Sequence, residues 1–213
     1  DGFISKVVSR AHGFDLYESR RREKYMPLKR QFIDDIDLIF AISKEGKNYL
    51  QTTYLAAADQ VIVSPLGVPI PSKNSVASKL NQLNIVSVSF CVPVKRIDKI
   101  IDAIAEAALR FESMSISWVH IGDGPLLPEL QLRAVEKFNS LQIEWNFLGK
   151  KSNPEVKQYF EKNSVDVFIN TSESEGVPVS IMEAMSYGVP VIAPNVGGVA
   201  ELVSNDYGFL LSR

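Results

Sequence analysis

The segment Ser172–Leu202 constrains this chain most, because two acidic side chains flank turns that can face a phosphate. It reads SESEGVPVSIMEAMSYGVPVIAPNVGGVAEL, so a Gly-Val-Pro turn opens a helix and a buried strand leads to a second turn at Gly197-Gly198. Gly176 allows the backbone to approach a ligand closely, and Pro178 suits the first turn of a helix, where its missing N–H is not needed. The segment predicts a site for a sugar nucleotide.

The acids and the backbone of this segment have complementary roles in that prediction. The N–H groups of Val177, Val179 and Ser180 lie at the positive end of the predicted helix and form an anion site. Glu175 lies directly before the turn, and the carboxylate of Glu183, further along the helix, can accept two hydrogen bonds from the vicinal hydroxyls of a ribose. For this loop alone, a solvated turn followed by a surface glutamate stays an open alternative.

The rest of the chain alternates apolar runs of strand length with segments of helical apolar spacing, which predicts an α/β fold with a Rossmann-like parallel sheet. Strands are predicted at Phe3–Ser9, Ile36–Ser43, Gln60–Ser64, Asn84–Phe90, SISWVHIG, IEWNFLG, VDVFIN, VPVIAP and GFLL. Helices are predicted at Tyr25–Asp34, Lys44–Tyr54, Lys95–Phe111, Pro125–Phe138, Pro154–Asn163, Val179–Tyr187 and Gly198–Val203. Ligands of such sheets bind at the carboxyl ends of the strands.

The segment SPLGVPIPS, with three prolines and a glycine, can continue neither a strand nor a helix and predicts a linker. We therefore expect two parts, residues 1–66 and residues 84–213, joined by a linker at 67–83. Strand-like runs lie close to both ends, so the chain is expected to be a fragment of a longer protein.

Composition excludes several classes of function. A net charge of −2 gives no basic surface for nucleic acid. The single cysteine, Cys91, excludes an internal disulfide and suits a reducing compartment. Two histidines and one cysteine cannot form a His/Cys zinc site. Carboxylates leave other metals open, but no metal ligand is predicted. No run of 18 apolar residues and no signal peptide is present, and we predict a cytoplasmic protein.

The motifs resemble the retaining, nucleotide-sugar-dependent glycosyltransferases of GT-B architecture, the "glycosyl transferases group 1" family. That family has two glutamates separated by seven residues, then an E-A-M-A-x-G-x-P-V-I-A run and G-G-x-x-E. The chain matches at Glu175, Glu183–Ala193 and Gly197–Glu201, with Ser186 in place of the commoner alanine. The resemblance implies that residues 84–213 are a nucleotide-sugar-binding, Rossmann-like GT-B C-terminal domain, truncated in this chain. Residues 1–66 would be the end of the N-terminal, acceptor-side Rossmann-like domain.

The same resemblance assigns roles to the segment. Glu175 would face the hydroxyls of the donor sugar, and Glu183 would bind the ribose. The backbone of Gly176–Ser180, including Val177, Pro178 and Val179, would meet the sugar and the diphosphate. Glu201 is expected to brace the glycine turn rather than to touch substrate.

Two further motifs resemble the phosphate and nucleotide contacts of the family. Its G-R-L-x-x-x-K-G motif places Lys95 on the diphosphate, while Phe90 stands at its arginine and Arg96 at its second glycine. We expect Arg96 to supply the second positive charge, although a bare Lys-Arg pair is otherwise typical of a solvated face. Gly122 and Gly124 match an I-G-x-G-P turn and would bring the chain towards the nucleotide.

The remaining candidates lie in loops. The backbone near Lys150 and Lys151 would hold the nucleotide base. In S-x-x-H-G-x-D, the resemblance implies that His12 faces the interdomain cleft and contacts the donor sugar or the acceptor; an incidental loop histidine is the alternative. The basic segment Ser19–Tyr25 is a candidate for acceptor or membrane-surface contact at the inner face of the membrane. His120 is expected to be packed in the core.

The function implied is that of a hexosyltransferase-type, metal-independent enzyme of polysaccharide biosynthesis. It would transfer a sugar, with retention, from a UDP- or GDP-linked donor to a glycan or lipid-linked saccharide, and it would need no cofactor. Two alternatives stay open: a non-catalytic nucleotide-sugar-binding module and a sugar-nucleotide epimerase of the same fold. A dinucleotide-dependent oxidoreductase is disfavoured, because the loop after Asn84–Phe90 lacks the expected glycines.

Overall fold

The computed structural model describes residues 5–21, 23–27 and 29–212, and the chain divides into two compact units. Unit 1 runs from the N-terminus to Gly67 and also includes Glu175–Pro178 and Gly197–Leu202. Unit 2 contains Val68–Ser174, Val179–Val196 and the residues from Val203 onward. Two short segments from the second half of the sequence therefore belong to unit 1.

Strands and helices alternate along the described residues. The strands are β1 (Val8–Ala11), β2 (Leu38–Ala41), β3 (Val61–Val63), β4 (Gln82–Val88), β5 (Ser115–Ile121), β6 (Ile143–Phe147), β7 (Val167–Ile169), β8 (Val191–Pro194) and β9 (Gly208–Leu211). The helices are α1 (Gly13–Leu16), α2 (Lys29–Phe32), α3 (Lys44–Thr53), α4 (Ile97–Arg110), α5 (Leu127–Phe138), α6 (Asn153–Lys162) and α7 (Val179–Ser186). Short 3₁₀ turns occur at Glu18–Arg20, Ile33–Asp35, Pro93–Lys95 and Gly197–Glu201.

Unit 1 is built on a parallel sheet of three strands in the order β1-β2-β3. Ile39 and Ala41 of β2 are buried in its core, together with Leu50 of α3. Ser43 ends the loop after β2 and caps α3, since its Oγ accepts a hydrogen bond from the N–H of Gly46 at 2.9 Å. This confirms the predicted cap, in which a side-chain oxygen satisfies a first-turn N–H.

Unit 2 is built on a parallel sheet of six strands in the order β6-β5-β4-β7-β8-β9. The chain first adds strands on one side of β4 and then crosses over to add β7, β8 and β9 on the other side. The point where the order reverses lies between β4 and β7, and open α/β sheets bind ligands outside the carboxyl ends of the strands at this point. The topology therefore confirms the predicted Rossmann-like parallel sheet.

The core of unit 2 follows from its apolar spacing. Helix α4 places four isoleucines and Ala105 on one buried face. Each isoleucine that is fully buried contributes roughly 1.5–3 kcal/mol relative to an exposed one. Strand β4 buries Ile85, Val86 and Ser87 in succession rather than alternately, as expected for a parallel strand covered on both faces.

Several predicted bounds were wrong. The first strand, predicted at Phe3–Ser9, is β1 at Val8–Ala11, and the first two residues of the prediction, Phe3 and Ile4, lie outside the described residues. The helix predicted at Tyr25–Asp34 is reduced to the four residues of α2 and a 3₁₀ turn, and its Leu28 also lies outside the described residues. Strand β4 begins at Gln82 because the register with β5 continues to Ser115. The division into domains at 66, 67–83 and 84 stays a prediction.

The described helices include none that is both long enough and apolar enough to cross a membrane. Contact of Ser19–Tyr25 with a membrane surface stays a prediction from the sequence.

Candidate functional site

The loop after β4 carries Lys95 and Arg96 into the region where the strand order of unit 2 reverses. Helix α4 begins at Ile97, not at Lys95 as predicted, because Pro93–Lys95 forms a 3₁₀ turn and Arg96 is left-handed, with φ 49° and ψ 43°. A residue with a Cβ in this conformation costs roughly 1–2 kcal/mol. The family glycine at this position would avoid that cost.

Thr171, which follows β7, holds this turn in place. Its Oγ1 donates to the carbonyl oxygens of Arg96 at 2.8 Å and of Lys95 at 3.0 Å. Sequence patterns gave no reason to select Thr171, because the contact joins residues 75 and 76 positions apart. The Lys-Arg pair is thus fixed through its backbone, and Lys95 is half-buried.

The side chain of Arg96 lines an open cavity of about 570 Å³ beyond the carboxyl ends of β7, β8 and β9. The other residues of its wall are Lys99, Thr171, Ser172, Glu173, Pro194, Val196, Leu211 and Ser212. None of these is a predicted nucleotide contact. The structure therefore places the Arg96 side chain apart from Gly122 and Lys150, which line a different cavity.

That second cavity, of about 190 Å³, lies where the carboxyl ends of β4, β5 and β6 meet. It is lined by Val88, Ser89, Phe90, Ile121, Gly122, Asp123, Lys150, Lys151 and Val156. Phe90 is 64% exposed. The structure thus brings together three loops that the sequence predicted to meet the nucleotide.

Gly122 and Gly124 allow the loop after β5 to lie against the loop after β4. A Cβ at Gly122 would come within 1.8 Å of the carbonyl oxygen of Ser89, and a Cβ at Gly124 within 2.7 Å of the carbonyl oxygen of Cys91. Both glycines also have positive φ angles. Any side chain at Gly122 would displace the backbone of the neighbouring loop, so this glycine is required by the geometry of the cavity.

Glu183 lies on α7 with only 6% of its surface exposed. Its Oε1 accepts a short hydrogen bond from the side-chain amide of Asn153, the first residue of α6. Ser152 caps α6, and its N–H and Oγ both donate to Glu155 Oε2, at 2.8 and 2.7 Å. The loop of Lys150 thus leads directly to the side chain that orients Glu183. Asn153 carries no motif and was missed from the sequence.

In unit 1, the loop before α1 and the Glu175–Pro178 segment come together. A Cβ at Gly13 would lie 2.9 Å from the Cα of Gly176, so the two glycines pack backbone against backbone. His12 directly precedes Gly13, is exposed, and donates its backbone N–H to Asp15 Oδ1 at 2.7 Å. The structure therefore places His12 and the Glu175 loop in the same part of unit 1.

The second glycine turn supports the same loop. The N–H of Gly198 donates to the carbonyl oxygen of Gly176 at 2.8 Å. Gly197 has φ 53°, and a Cβ on it would lie 1.9 Å from the carbonyl oxygen of Glu175. Glu175 itself is 7% exposed. The G-G-x-x-E motif thus fixes the backbone around Glu175, which explains why the turn requires glycine.

Glu201 performs a structural task at the end of this motif. Its two carboxylate oxygens accept hydrogen bonds from the backbone N–H groups of Lys44 at 2.9 Å and Glu45 at 3.0 Å. These groups belong to the first turn of α3, where a negative charge is favourable. Glu201 therefore caps α3 within unit 1, and it fastens the glycine turn as well.

Arg20 is a charged residue near Glu175 that the motifs did not indicate. Its guanidinium lies 4.6 Å from the centre of the Tyr17 ring, and a Cβ at Gly13 would meet its Nη1. Burial lowers the pKa of Arg20, and the neighbouring Glu175 carboxylate partly opposes that shift. Arg20 thus places a positive charge beside the predicted sugar-facing acid.

His120 is fully buried, as predicted, and burial lowers its pKa to about 4. At a pH below about 6.5, the ordinary pKa of histidine, the unfolded chain binds a proton at this residue that the folded chain does not. The contribution of His120 to stability is therefore fully present above pH 6.5 and is lost as the pH falls towards 4. We expect acidification from pH 7 to pH 5 to cost about 2 kcal/mol through this residue. Urea unfolding at both pH values measures it, and His120→Gln should lose that part of the pH dependence. An equal pH dependence in both proteins would contradict the prediction.

The model of the Glycosyl transferases group 1 family matches residues 71–213. WcaL of Escherichia coli, which carries the name of a colanic acid biosynthesis glycosyltransferase, is 28% identical over 209 residues, covering 94% of this chain and 50% of WcaL. The chain thus spans about half the length of the curated relatives that it matches over most of its residues.

Solved structures share the fold. The apo form of the lipopolysaccharide outer core galactosyltransferase WaaB has a TM-score of 0.73 at 22% identity, over 93% of this chain and 53% of WaaB. Anabaena HepE in complex with UDP and glucose has a TM-score of 0.71 at 19% identity, over 97% of this chain and 58% of HepE. The parallel α/β fold of the chain is therefore that of GT-B glycosyltransferases.

Proposed function

The chain belongs to the Glycosyl transferases group 1 family, and on that premise we propose that it binds a nucleoside-diphosphate sugar and transfers the sugar to a saccharide or lipid-linked acceptor. The observation that carries this proposal is the meeting of three loops with positive and polar groups at the carboxyl ends of β4, β5 and β6. HepE, which shares the fold, was solved with UDP and glucose.

Each candidate residue has a proposed task. The cavity lined by Gly122 and Lys150 would receive the nucleotide base, and Glu183, oriented by Asn153, would accept hydrogen bonds from the ribose hydroxyls. Lys95 would face the diphosphate, and Gly124 would keep the loop after β5 close to it. Arg96 would add a second positive charge, although its side chain lines a different cavity.

The proposed reaction breaks the bond between the anomeric carbon and the diphosphate oxygen, and the electron pair stays on the diphosphate. A new bond forms from the anomeric carbon to an acceptor hydroxyl oxygen, whose proton is released. We infer retention at the anomeric carbon, because the Glu175 and Glu183 pattern resembles that of retaining enzymes. Positive side chains and the N-terminus of α7, at Val179 and Ser180, would stabilise the departing diphosphate without a metal ion.

In unit 1, Glu175 is proposed to face the hydroxyls of the donor sugar. Gly176 and Val177 would present backbone N–H groups to that sugar, and Pro178, which has no N–H, would complete the turn. The burial of Glu175 and its fixed backbone support this role, since a sugar site needs hydrogen-bond acceptors that are already oriented. His12 is proposed to contact the donor sugar or the acceptor. Its place in the loop that packs on Gly176 supports that assignment.

A thermal-shift panel of UDP-, GDP- and ADP-sugars, repeated with EDTA, tests donor binding. We expect one nucleotide class to raise Tm, with the same shift in EDTA. Transfer of the sugar to saccharide acceptors is then measured, and the anomeric coupling constant in the NMR spectrum of the product reports whether the configuration is retained. Binding without turnover on any acceptor would favour a non-catalytic binding module. Release of a free sugar or its epimer without an acceptor would favour an epimerase, and no shift with any donor would contradict the proposal.

A further inference from the structure

A line of buried polar groups lies beneath the loop after β4. Trp118 Nε1 lies 3.0 Å from Ser87 Oγ, and Ser87 Oγ lies 2.9 Å from His120 Nδ1. The other ring nitrogen, His120 Nε2, lies 3.2 Å from the carbonyl oxygen of Ser89. Ser87, Trp118 and His120 are each at most 2% exposed. The line therefore runs without solvent from the core to the first residue of the loop.

The chemistry of these groups sets one direction for the hydrogen bonds. The indole N–H of Trp118 can only donate, so Ser87 Oγ accepts there. The hydroxyl proton of Ser87 is then available to His120 Nδ1, which accepts it as a bare nitrogen. In a neutral imidazole the proton must then lie on Nε2, where it points to the Ser89 carbonyl oxygen. Because buried polar groups without partners are costly, the line favours this single arrangement.

The surroundings keep His120 neutral and in place. Burial lowers its pKa to about 4, and the rings of Trp118 and Phe147 lie 6.1 and 5.5 Å from its own ring centre. The second neighbour of Nε2 is Cys91 Sγ at 3.5 Å. Burial raises the pKa of that thiol to about 11, so it stays protonated and carries no charge. The ring is thus an uncharged donor aimed at the loop.

The Ser89 carbonyl, to which His120 donates, belongs to the first residue of the loop that carries the predicted diphosphate contacts. Ser89 precedes Phe90, and the same loop continues to Lys95 and Arg96. One backbone hydrogen bond, from the Ser89 N–H to the carbonyl oxygen of Ile121 at 3.1 Å, fixes the start of the loop from the side of β5. The hydrogen bond from the His120 side chain holds Ser89 from the side of the core.

We propose that His120 is a positioning residue for donor binding: through Ser87 and Trp118 it fixes the Ser89 carbonyl and so the loop that carries Phe90 and Lys95. This inference rests on the proposed function. In this proposal His120 contacts neither the sugar nor the diphosphate, and its effect on binding passes through the backbone of the loop.

The arrangement itself has a spectroscopic test that needs no ligand. The chain contains two histidines, His12 and His120, so a ¹⁵N spectrum of the imidazole rings has two spin systems, and His12→Asn assigns them. We expect the His120 ring to show a bare Nδ1 and a protonated Nε2 between pH 5.5 and 8. A protonated Nδ1, or equal mixing of the two tautomers, would overturn the proposal.

The effect on binding is tested with Ser87→Ala, which removes the link between Trp118 and His120. Calorimetry with UDP or GDP, whichever binds the unaltered protein more tightly, should show a Kd about tenfold higher, because small displacements of a binding loop are costly. Ser117→Ala is the matched control: it removes a hydroxyl from the same sheet, on the strand next to Ser87, and should leave Kd unchanged. Trp118→Phe removes the first donor together with part of a buried ring, so its Kd is compared only where the variant is folded, and it should shift in the same direction.

The outcomes separate this inference from the proposed function. Equal Kd values for the unaltered protein, Ser87→Ala and Trp118→Phe would overturn the positioning role while donor binding stands. A lower Tm with an unchanged Kd, measured where every variant is folded, would show that the line is only structural and would also overturn it. If the unaltered protein binds no nucleotide, both the proposed function and the positioning role fail, even where the expected tautomer is found.

Discussion

Replacing Glu175 with glutamine is expected to lower the rate of sugar transfer by about 100-fold, the usual effect of removing one oriented electrostatic group from an active site. Glutamine keeps the size of the side chain and removes its charge. Glu175 is buried and its backbone is fixed by Gly197 and Gly198, so water cannot readily replace the lost carboxylate. The nucleotide Kd should change little, because the proposed partner of Glu175 is the sugar.

The chain offers a close control for this change. Glu112→Gln removes the same charge from an exposed side chain in the turn before β5, at the amino end of that strand, and should leave transfer unchanged. Turnover is measured with the donor sugar that gives the largest thermal shift, and the nucleotide Kd is measured by calorimetry on the same samples. Equal losses in turnover and in nucleotide affinity would contradict a sugar-facing role for Glu175.

Glu183→Gln is expected to weaken binding of UDP, or of GDP if that is the nucleotide bound, by about 10- to 100-fold, because hydrogen bonds to a charged group are worth about 1.5–3 kcal/mol. The glutamine oxygen can still accept from Asn153, so the local fold is retained. The unaltered protein should prefer the ribonucleotide over its 2′-deoxy form. The variant should lose that preference, since the two changes remove the same interaction.

Calorimetry with the ribonucleotide and its 2′-deoxy form, on the unaltered protein and on Glu183→Gln, gives the four affinities of this thermodynamic cycle. Glu136→Gln, on an exposed position of α5, serves as the control for loss of a negative charge. An unchanged nucleotide affinity in Glu183→Gln would rule out the ribose assignment. Additive losses from the variant and the 2′-deoxy nucleotide would place the carboxylate elsewhere on the ligand.

Much of the fold was predictable because its cause is local. The isoleucines of α4 recur at helical spacing, and that face is buried in the structure. The Ser43 cap was likewise predictable from one residue type at the start of a helix. The failure at Tyr25–Asp34 has the opposite cause: a short polar segment has little apolar periodicity, so propensity alone could not set its bounds.

The two glutamates of the segment Ser172–Leu202 show what a sequence motif can predict and what it cannot. Spacing and residue type were enough to select Glu175 and Glu183, and both are buried. The same patterns could not show that Asn153 orients Glu183 or that Arg20 lies near Glu175, because those neighbours come from distant parts of the chain. They also did not predict that the Arg96 side chain would line a cavity apart from Gly122.

Apolar periodicity and glycine spacing are properties of neighbouring residues, so the order of amino acids was sufficient for the parallel α/β class and for the candidate residues of the segment Ser172–Leu202. Which groups meet depended on contacts between residues far apart in the chain. Glu201 caps α3 across more than 150 positions. Thr171, which follows β7, and His120, on β5, hold the loop after β4. Hydrogen bonds of this kind form only where folding brings a side chain to a distant backbone group, and they leave no periodic trace in the sequence.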